Sequence, residues 1–364
     1  MATTLHADHI GSLLRPPELI EARRDQRAGK IDGDRLREIE DESILKAFEL
    51  QKAAGIEIFT DGEYRRETFL DPLTQGMEGL TRQPVPADAR GRLWQGPNAE
   101  HANAMAEEFD TFLATVVGGK LRRTGRLTGG EGPYMAQHSP GPWKMTMPGP
   151  MLRASAMFRP GVSEGYASAA EVALDMAAMM ADEVRDLAKD GVSYLQLDSL
   201  LYANPVPADA LDASIEADNI VLDAAKAAGI ATVGLHMCRG NNRSSWLSEG
   251  SYEPCAEQAF NRLHADRFLL EYDTERAGGF EPLRFVPKDK VVVLGLVSSK
   301  VPDLESTDAL QKRIDEAARY VPAENLGLSP QCGFASSLLG NLLSWEDQQR
   351  KLELVVEMSR KVWS

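Results

Sequence analysis

The stretch from residue 226 to residue 236 reads Lys-Ala-Ala-Gly-Ile-Ala-Thr-Val-Gly-Leu-His, and it decides the predicted fold. A helix-like end is followed by a glycine, by a short run rich in β-branched and aliphatic residues, and by a polar residue. Glycine is favoured directly after a helix because it readily adopts the left-handed conformation found there. The same order occurs at residues 52–61 and 189–198. Helices alternating with short buried strands predict an α/β fold with a parallel sheet.

Eight segments of strand length fit this rhythm, and eight parallel strands predict a (β/α)8 TIM barrel. An open doubly wound sheet is the alternative, but no Gly-x-Gly-x-x-Gly fingerprint follows the first strand, which disfavours a dinucleotide-binding version. We expect one domain over residues 1–364, with a large insertion at about 73–140 after the second strand. The predicted strands are 6–12, 56–63, 144–149, 193–199, 231–238, 267–273, 291–297 and 326–332.

Composition narrows the classes of partner. The chain has 364 residues, 40 Lys and Arg against 55 Asp and Glu, and a formal charge of −15. With 43% hydrophobic residues it has a normal globular composition. The acidic balance argues against nucleic acid and anionic membranes, so a small molecule is the expected partner. Three cysteines and the lack of a signal-like or membrane-spanning run predict a cytoplasmic protein with reduced thiols, compatible with a homo-oligomer.

Chemistry-bearing residues cluster at the predicted C-terminal ends of the strands, where barrel enzymes place their active sites. His236 and Cys238 lie two positions apart, so their side chains point to the same face of a strand. Together with Glu271 and Cys332, they offer the imidazole, thiolate and carboxylate ligands that Zn²⁺ accepts. The alternative is a pair of free core thiols with a buried, hydrogen-bonded histidine; the strand-end positions favour a metal.

A zinc site with two thiolate ligands is electron-rich and activates water poorly, so it is better suited to binding another thiol. Metal coordination deprotonates a thiol near neutral pH, and a thiolate is a good nucleophile toward an alkyl donor. The ligand set therefore predicts S-alkylation. Glu63 and Asp198 are candidates to bind the ammonium group of an amino-acid thiol, and the alternative for them is a salt bridge with Arg65 or Arg66.

In order and spacing, several motifs resemble the catalytic C-terminal barrel of cobalamin-independent methionine synthase, over residues 5 to 363. The most specific of them are His236-Met-Cys238 and Ser329-Pro-Gln-Cys-Gly333. The other matching stretches are His9-Ile-Gly-Ser12, Asp61-Gly-Glu63, Met147-Pro-Gly-Pro150, Gln196-Leu-Asp198 and Leu270-Glu271.

The resemblance implies a zinc barrel that transfers a methyl group from 5-methyltetrahydrofolate to homocysteine, giving methionine. It implies that Ile10 and Ser12 contact the amino-acid carboxylate and that Glu63 and Asp198 hold the amino group. The implied zinc ligands are His236, Cys238, Glu271 and Cys332.

The chain also departs from this family. The full-length family enzyme has a second, N-terminal barrel, for which 364 residues leave no room. The family histidine associated with proton transfer is absent from the matching stretch, Gly295-Leu-Val-Ser-Ser-Lys300. These departures leave the methyl donor open: 5-methyltetrahydrofolate or another donor, including a methyl-carrier protein.

The main hypothesis is thus a zinc-dependent S-methyltransferase on a single barrel, acting on homocysteine or a similar small thiol. One alternative is a zinc-dependent alkyl-thiol transferase or lyase of the coenzyme M type. It is kept open by Arg239, which could contact a sulfonate or carboxylate, or could pair with a nearby protein carboxylate. The other alternative is a barrel that binds zinc or an amino acid without catalysis.

Overall fold

The computed structural model describes residues 5–85, 94–104, 114–203 and 207–363. Within these residues no helix is long and apolar enough to span a membrane. The helices are α1 (Pro17–Arg27), α2 (Gly33–Ala54), α3 (Ala99–Ala104), α4 (Glu131–His138), α5 (Pro150–Met157), α6 (Ala169–Asp190), α7 (Ala208–Ala227), α8 (Glu253–Arg262), α9 (Thr307–Ala317) and α10 (Trp345–Trp363). The strands are β1 (Met77–Arg82), β2 (Thr115–Arg123), β3 (Lys144–Pro148), β4 (Tyr194–Ser199), β5 (Thr232–Met237), β6 (Arg267–Glu271), β7 (Val291–Val297) and β8 (Leu326–Pro330).

Strands β3 to β8 form one parallel sheet in chain order, and they coincide with six of the predicted strands. Nearly every residue in them is buried, as expected for strands covered on both faces. The glycines that end α2 and α6, Gly55 and Gly191, have φ of 81° and 91°. This left-handed conformation turns each helix end back toward the sheet. The fold is a (β/α)8 barrel, which confirms the sequence prediction.

Residues 6–12 and 56–63 lie at the first two strand positions of the barrel, but they do not form continuous strands with a ladder of backbone hydrogen bonds. This differs from the prediction of strands at 6–12 and 56–63. Each makes one parallel bridge, Ala7 with Leu328 of β8 and Phe59 with Trp143 before β3. Side chains replace the missing ladder bonds. The amide of Gln51 binds both the N–H and the carbonyl of Thr60 at 2.9 Å. These contacts satisfy backbone groups that a ladder would otherwise pair.

The N-terminal half of the barrel interior is filled by buried charges. The Nζ of Lys144 lies 2.6 Å from Asp8 Oδ1 and donates to Gln196 Oε1 at 2.9 Å. Arg267 donates to the second Asp8 oxygen at 3.0 Å. Burial raises the pKa of Asp8, but the positive charges of Lys144 and Arg267 lower it by more, so the pKa of Asp8 lies below its ordinary value. This packed network leaves the C-terminal strand ends as the place for a ligand.

The segment between the second strand position and β3 forms a small antiparallel sheet of β1 and β2. Arg123 and Arg126 bind the buried Glu183 of α6 at 2.6 and 2.9 Å, which anchors this sheet to the barrel. Residues 86–93 and 105–113 of the predicted insertion lie outside the described residues. We call residues 94–98 the strap. Its Gln95 exchanges two backbone hydrogen bonds with Trp246, of 2.7 and 3.2 Å.

Candidate metal and substrate site

Three strands bring His236, Cys238, Glu271 and Cys332 together at the C-terminal end of the barrel. His236 lies in β5, Cys238 follows that strand directly, Glu271 ends β6, and Cys332 lies two residues after β8. One potential ligand atom from each residue lies within 4.8 Å of the others, and all four residues are buried. Parallel strands meet at the same edge, so residues distant in sequence converge here.

The thiols and the imidazole interact directly. The Sγ atoms of Cys238 and Cys332 are 3.4 Å apart. The hydrogen bond with Cys238 and the neighbouring His236 together lower the pKa of Cys332 to about 5, although burial opposes this shift. His236 Nδ1 contacts the Leu269 carbonyl at 3.0 Å, whereas its buried Nε2 has no partner among the described residues. An imidazole ring with one nitrogen held by a hydrogen bond and the other nitrogen free is the usual arrangement of a metal-binding histidine.

Glu271 is held as a carboxylate by its surroundings. Its Oε1 accepts the Arg239 backbone N–H at 2.8 Å, and its Oε2 lies 3.2 Å from Arg276. Burial would raise the pKa of Glu271, but Arg276 and Lys300 outweigh it and lower the pKa below its ordinary value. The four residues thus combine two sulfurs, an imidazole nitrogen and an anionic oxygen, a donor set that fits tetrahedral Zn²⁺.

Two further acids lie beside this cluster. Asp198 of β4 is the register partner of His236, and burial raises its pKa to about 7. Glu63 accepts the Thr146 hydroxyl at 2.7 Å through Oε1, while its buried Oε2 has no partner among the described residues. Burial raises the pKa of Glu63, although Arg66 opposes this shift. Two buried carboxylates with raised pKa values are suited to receive a cationic group.

The backbone at Glu63 is strained, with φ of 61° in a non-glycine residue. An Asx turn holds it, because Asp61 Oδ1 accepts the Glu63 N–H at 2.8 Å. Such conformations are costly and cluster at functional sites. Glu63 also forms the alternative salt bridge, because a guanidinium nitrogen of Arg66 lies 3.5 Å from its Oε1. That contact uses one oxygen and leaves Oε2 available.

The Ile10 and Ser12 segment lies against the same site. The Ile10 carbonyl accepts the Gln196 amide at 2.7 Å, and the same amide nitrogen donates to Asp198 at 2.7 Å. The Ser12 hydroxyl accepts the Ala335 N–H at 3.4 Å, in the loop after Cys332. These contacts place residues 10–12 between the two acids, Glu63 and Asp198, and the loop that contains Cys332.

Comparison with known proteins identifies the family. Residues 138–361, more than half of the chain, match the family described as cobalamin-independent synthase, catalytic domain. The chain belongs to this methyltransferase family.

The Bacillus subtilis protein YxjG, which is named as uncharacterized, is 36% identical over 394 residues, covering 98% of this chain and 94% of that protein. The methionine synthase of Saccharolobus solfataricus is 24% identical over 366 residues, covering 97% and 93%. Among solved structures, a B12-independent methionine synthase from Shewanella sp. W3-18-1 has the same fold, with a TM-score of 0.76, 20% identity and coverage of 99% and 98%.

Arg239, the remaining sequence candidate, is fully buried under the site. Its guanidinium lies 4.3 Å from the centre of the Tyr252 ring and donates to the Ala203 carbonyl at 3.4 Å. No carboxylate among the described residues pairs with this guanidinium, although its backbone N–H binds Glu271. The Nε and Nη2 atoms of Arg239 are buried and have no hydrogen-bond partner among the described residues. The contact of Arg239 with an anionic substrate group therefore stays a prediction. Cys255 is likewise outside the cluster, with its Sγ 2.8 Å from the Tyr202 carbonyl.

The sequence analysis missed two features of the site. Lys300, in the loop after β7, binds the loop that follows Cys238. The strap pairs with Trp246, in the loop that follows Cys238. A lysine shortly after a buried strand could have indicated the first feature, because strand ends meet at the site. No local pattern indicates the second, because residues 95 and 246 are far apart in sequence.

Proposed function

We propose that this chain is a single-barrel, zinc-dependent S-methyltransferase that methylates homocysteine or a similar small thiol to give methionine or its analogue. The convergence of His236, Cys238, Glu271 and Cys332 at the strand ends carries the proposal. The Saccharolobus relative is named methionine synthase, which supports the same reaction. The proposed donor is 5-methyltetrahydrofolate or another methyl carrier.

The four residues would hold Zn²⁺, and the buried, unpartnered Nε2 of His236 fits such a ligand. When bound, Zn²⁺ would supply a Lewis acid that keeps the substrate thiol deprotonated and therefore nucleophilic near neutral pH. In the overall transfer, the S–CH₃ bond forms as the bond between the methyl group and its donor breaks. The donor leaving group then takes up a proton.

The surrounding residues would orient the amino acid. Glu63 Oε2 and the Asp198 carboxylate would accept hydrogen bonds from the ammonium group, which also compensates their buried charge. The Ser12 hydroxyl and the main chain at Ile10, between the acids and the loop after Cys332, would contact the carboxylate. Fixing both ends of the amino acid orients the sulfur for in-line attack on the methyl group.

The test is a methyl-transfer assay with zinc-loaded protein, homocysteine and 5-methyltetrahydrofolate, and methionine is detected by mass. We expect product from the wild type and from Cys255→Ser, whose thiol is buried outside the cluster. We expect neither zinc nor product from Cys332→Ser. Full activity of metal-free Cys332→Ser would contradict the zinc mechanism. Wild type that binds zinc and homocysteine but forms no methionine would contradict 5-methyltetrahydrofolate as the donor.

A further inference from the structure

Lys300 is a buried cation three residues after the end of β7, with only 5% of its surface exposed. Its Nζ donates to Asn241 Oδ1 at 2.7 Å and to the Gly240 carbonyl at 3.3 Å. Both partners lie in the loop that follows Cys238. Burying an ammonium group is costly, so its placement against these oxygens requires a compensating interaction.

The partners of Lys300 connect the two cysteine loops. The Gly240 N–H donates to Cys238 Sγ at 3.2 Å. The Asn241 amide donates to the Gly333 carbonyl at 2.7 Å, directly after Cys332. One ammonium group therefore binds the residues that hold both thiols in position. Metal ligands depend on such outer contacts for their orientation.

The charge of Lys300 is not used by a salt bridge. No carboxylate of the described residues lies within ion-pair distance of its Nζ, which binds only neutral oxygens. Its charge nevertheless lies near the Cys238 thiol, because Nζ binds the carbonyl of Gly240, the residue whose N–H donates to Cys238 Sγ. The other nearby cation, Arg276, is shared between Glu271 and Asp273 at 3.2 and 2.8 Å.

The proposed ligand set is more negative than one zinc ion can neutralise. Two thiolates and one carboxylate carry three negative charges, whereas Zn²⁺ carries two positive charges. A substrate thiolate would add a further negative charge. A buried cation without its own counter-ion offsets this excess, and in a medium of low dielectric constant such an interaction is strong.

We propose that Lys300 is a positioning residue of the metal centre: it aligns the Cys238 and Cys332 loops through Gly240 and Asn241 and offsets the charge of the thiolate ligands. This inference deepens the proposed function and rests on its metal site, but not on the methyl donor. It concerns metal affinity and ligand geometry, so it can be tested without measuring methyl transfer.

The test compares Lys300→Met, Lys300→Gln and Lys300→Arg by chelator competition for Zn²⁺ and by thiolate-to-metal absorption of the Co²⁺-loaded protein. We expect Lys300→Met to bind Zn²⁺ about 10- to 100-fold more weakly. Lys300→Gln keeps a donor without the charge and should be weakened too, whereas Lys300→Arg should recover most of the affinity. The Co²⁺ absorption should change in the Met and Gln variants.

Lys351→Met is the matched control, because Lys351 is another buried lysine but its Nζ binds the Asp303 carbonyl and Glu305. It should retain the wild-type zinc affinity. Circular dichroism confirms that each variant is folded, and Lys300→Gln serves if Lys300→Met does not fold. Wild-type affinity and absorption in folded Lys300→Met or Lys300→Gln would overturn the inference, as would an equal loss in Lys351→Met. A wild-type protein that binds no Zn²⁺ would overturn it together with the metal site.

Discussion

Glu63→Gln tests how the site would recognise an amino group. The substituted side chain keeps an oxygen for the Thr146 hydroxyl, which now binds Oε1 of the glutamate at 2.7 Å, and has nearly the same volume. It replaces the unpartnered Oε2 by an amide that can present N–H groups to the ligand. A hydrogen bond to a charged group contributes about 1.5–3 kcal/mol. We therefore expect the Kd for homocysteine to rise by about 10- to 150-fold.

Calorimetry on zinc-loaded protein at pH 8 measures this effect, because Asp198, with a pKa of about 7, is then ionised. Homocysteine is compared with 4-mercaptobutanoate, which has the thiol and the carboxylate but lacks the amino group. Wild type should prefer homocysteine, and Glu63→Gln should lose most of that preference while its zinc content stays unchanged. Asp218→Asn is the control, because Asp218 is also a buried carboxyl but binds Tyr202.

Two results would refute this reasoning. Glu63→Gln could bind homocysteine as tightly as wild type, in which case Oε2 does not contact the ammonium group. Alternatively, the variant could lose affinity equally for both ligands, in which case Glu63 acts through the general shape of the site. Its contact with Arg66, at 3.5 Å, would then be its main role.

Two further predictions concern the stability of the fold and the attachment of the strap. Burial raises the pKa of Asp218 from 3.8 to about 7 even though Tyr202 donates to it. The native state therefore keeps the Asp218 carboxyl protonated above pH 4, where the unfolded state has lost this proton, so the free energy of unfolding falls as pH rises toward 7. In urea unfolding, we expect Asp218→Asn to be more stable than wild type by about 2–4 kcal/mol at pH 8, with little difference at pH 4. Gly96 has φ of 100°, and a Cβ there would overlap the Trp246 ring, so hydrogen exchange should show faster exchange of the strap amides in Gly96→Ala. Gly250→Ala is its control, since Gly250 has φ of 119° and a Cβ there meets only open space. Strap amides that exchange no faster in Gly96→Ala than in Gly250→Ala would contradict the ring-overlap argument.

The barrel strands could be predicted because they are short, continuously apolar and bounded by helix-ending glycines. The first two strand positions could not be assigned correctly by the same argument. At residues 56–63 the apolar run is present, but Gln51 on the preceding helix takes the hydrogen bonds of Thr60 that a neighbouring strand would have taken. A contact between a helix side chain and the backbone of the next segment leaves no periodic trace in the sequence.

The clustering of the predicted metal ligands followed from strand ends, because parallel strands finish at one edge whatever their separation in sequence. The surroundings of Arg239 did not follow, because its position beside Cys238 does not reveal where its long side chain points. It lies over Tyr252, a residue from the following helix region. The contacts of Lys300 could not be predicted either, because the sequence shows this residue only as the end of a stretch that lacks the family histidine.

The loop after Cys238 links the mouth of the barrel to the metal site through backbone bonds. At its far end, Trp246 pairs with Gln95 of the strap, and the next residue, Leu247, donates its N–H to the Arg239 carbonyl at 2.9 Å. Arg239 in turn donates its own N–H to Glu271 at 2.8 Å. The insertion is thus three hydrogen-bonded steps from a proposed zinc ligand. Because buried backbone groups must keep their partners, a strap that detaches leaves this loop with fewer constraints on the position of Glu271. We therefore expect the insertion to help hold the position of Glu271.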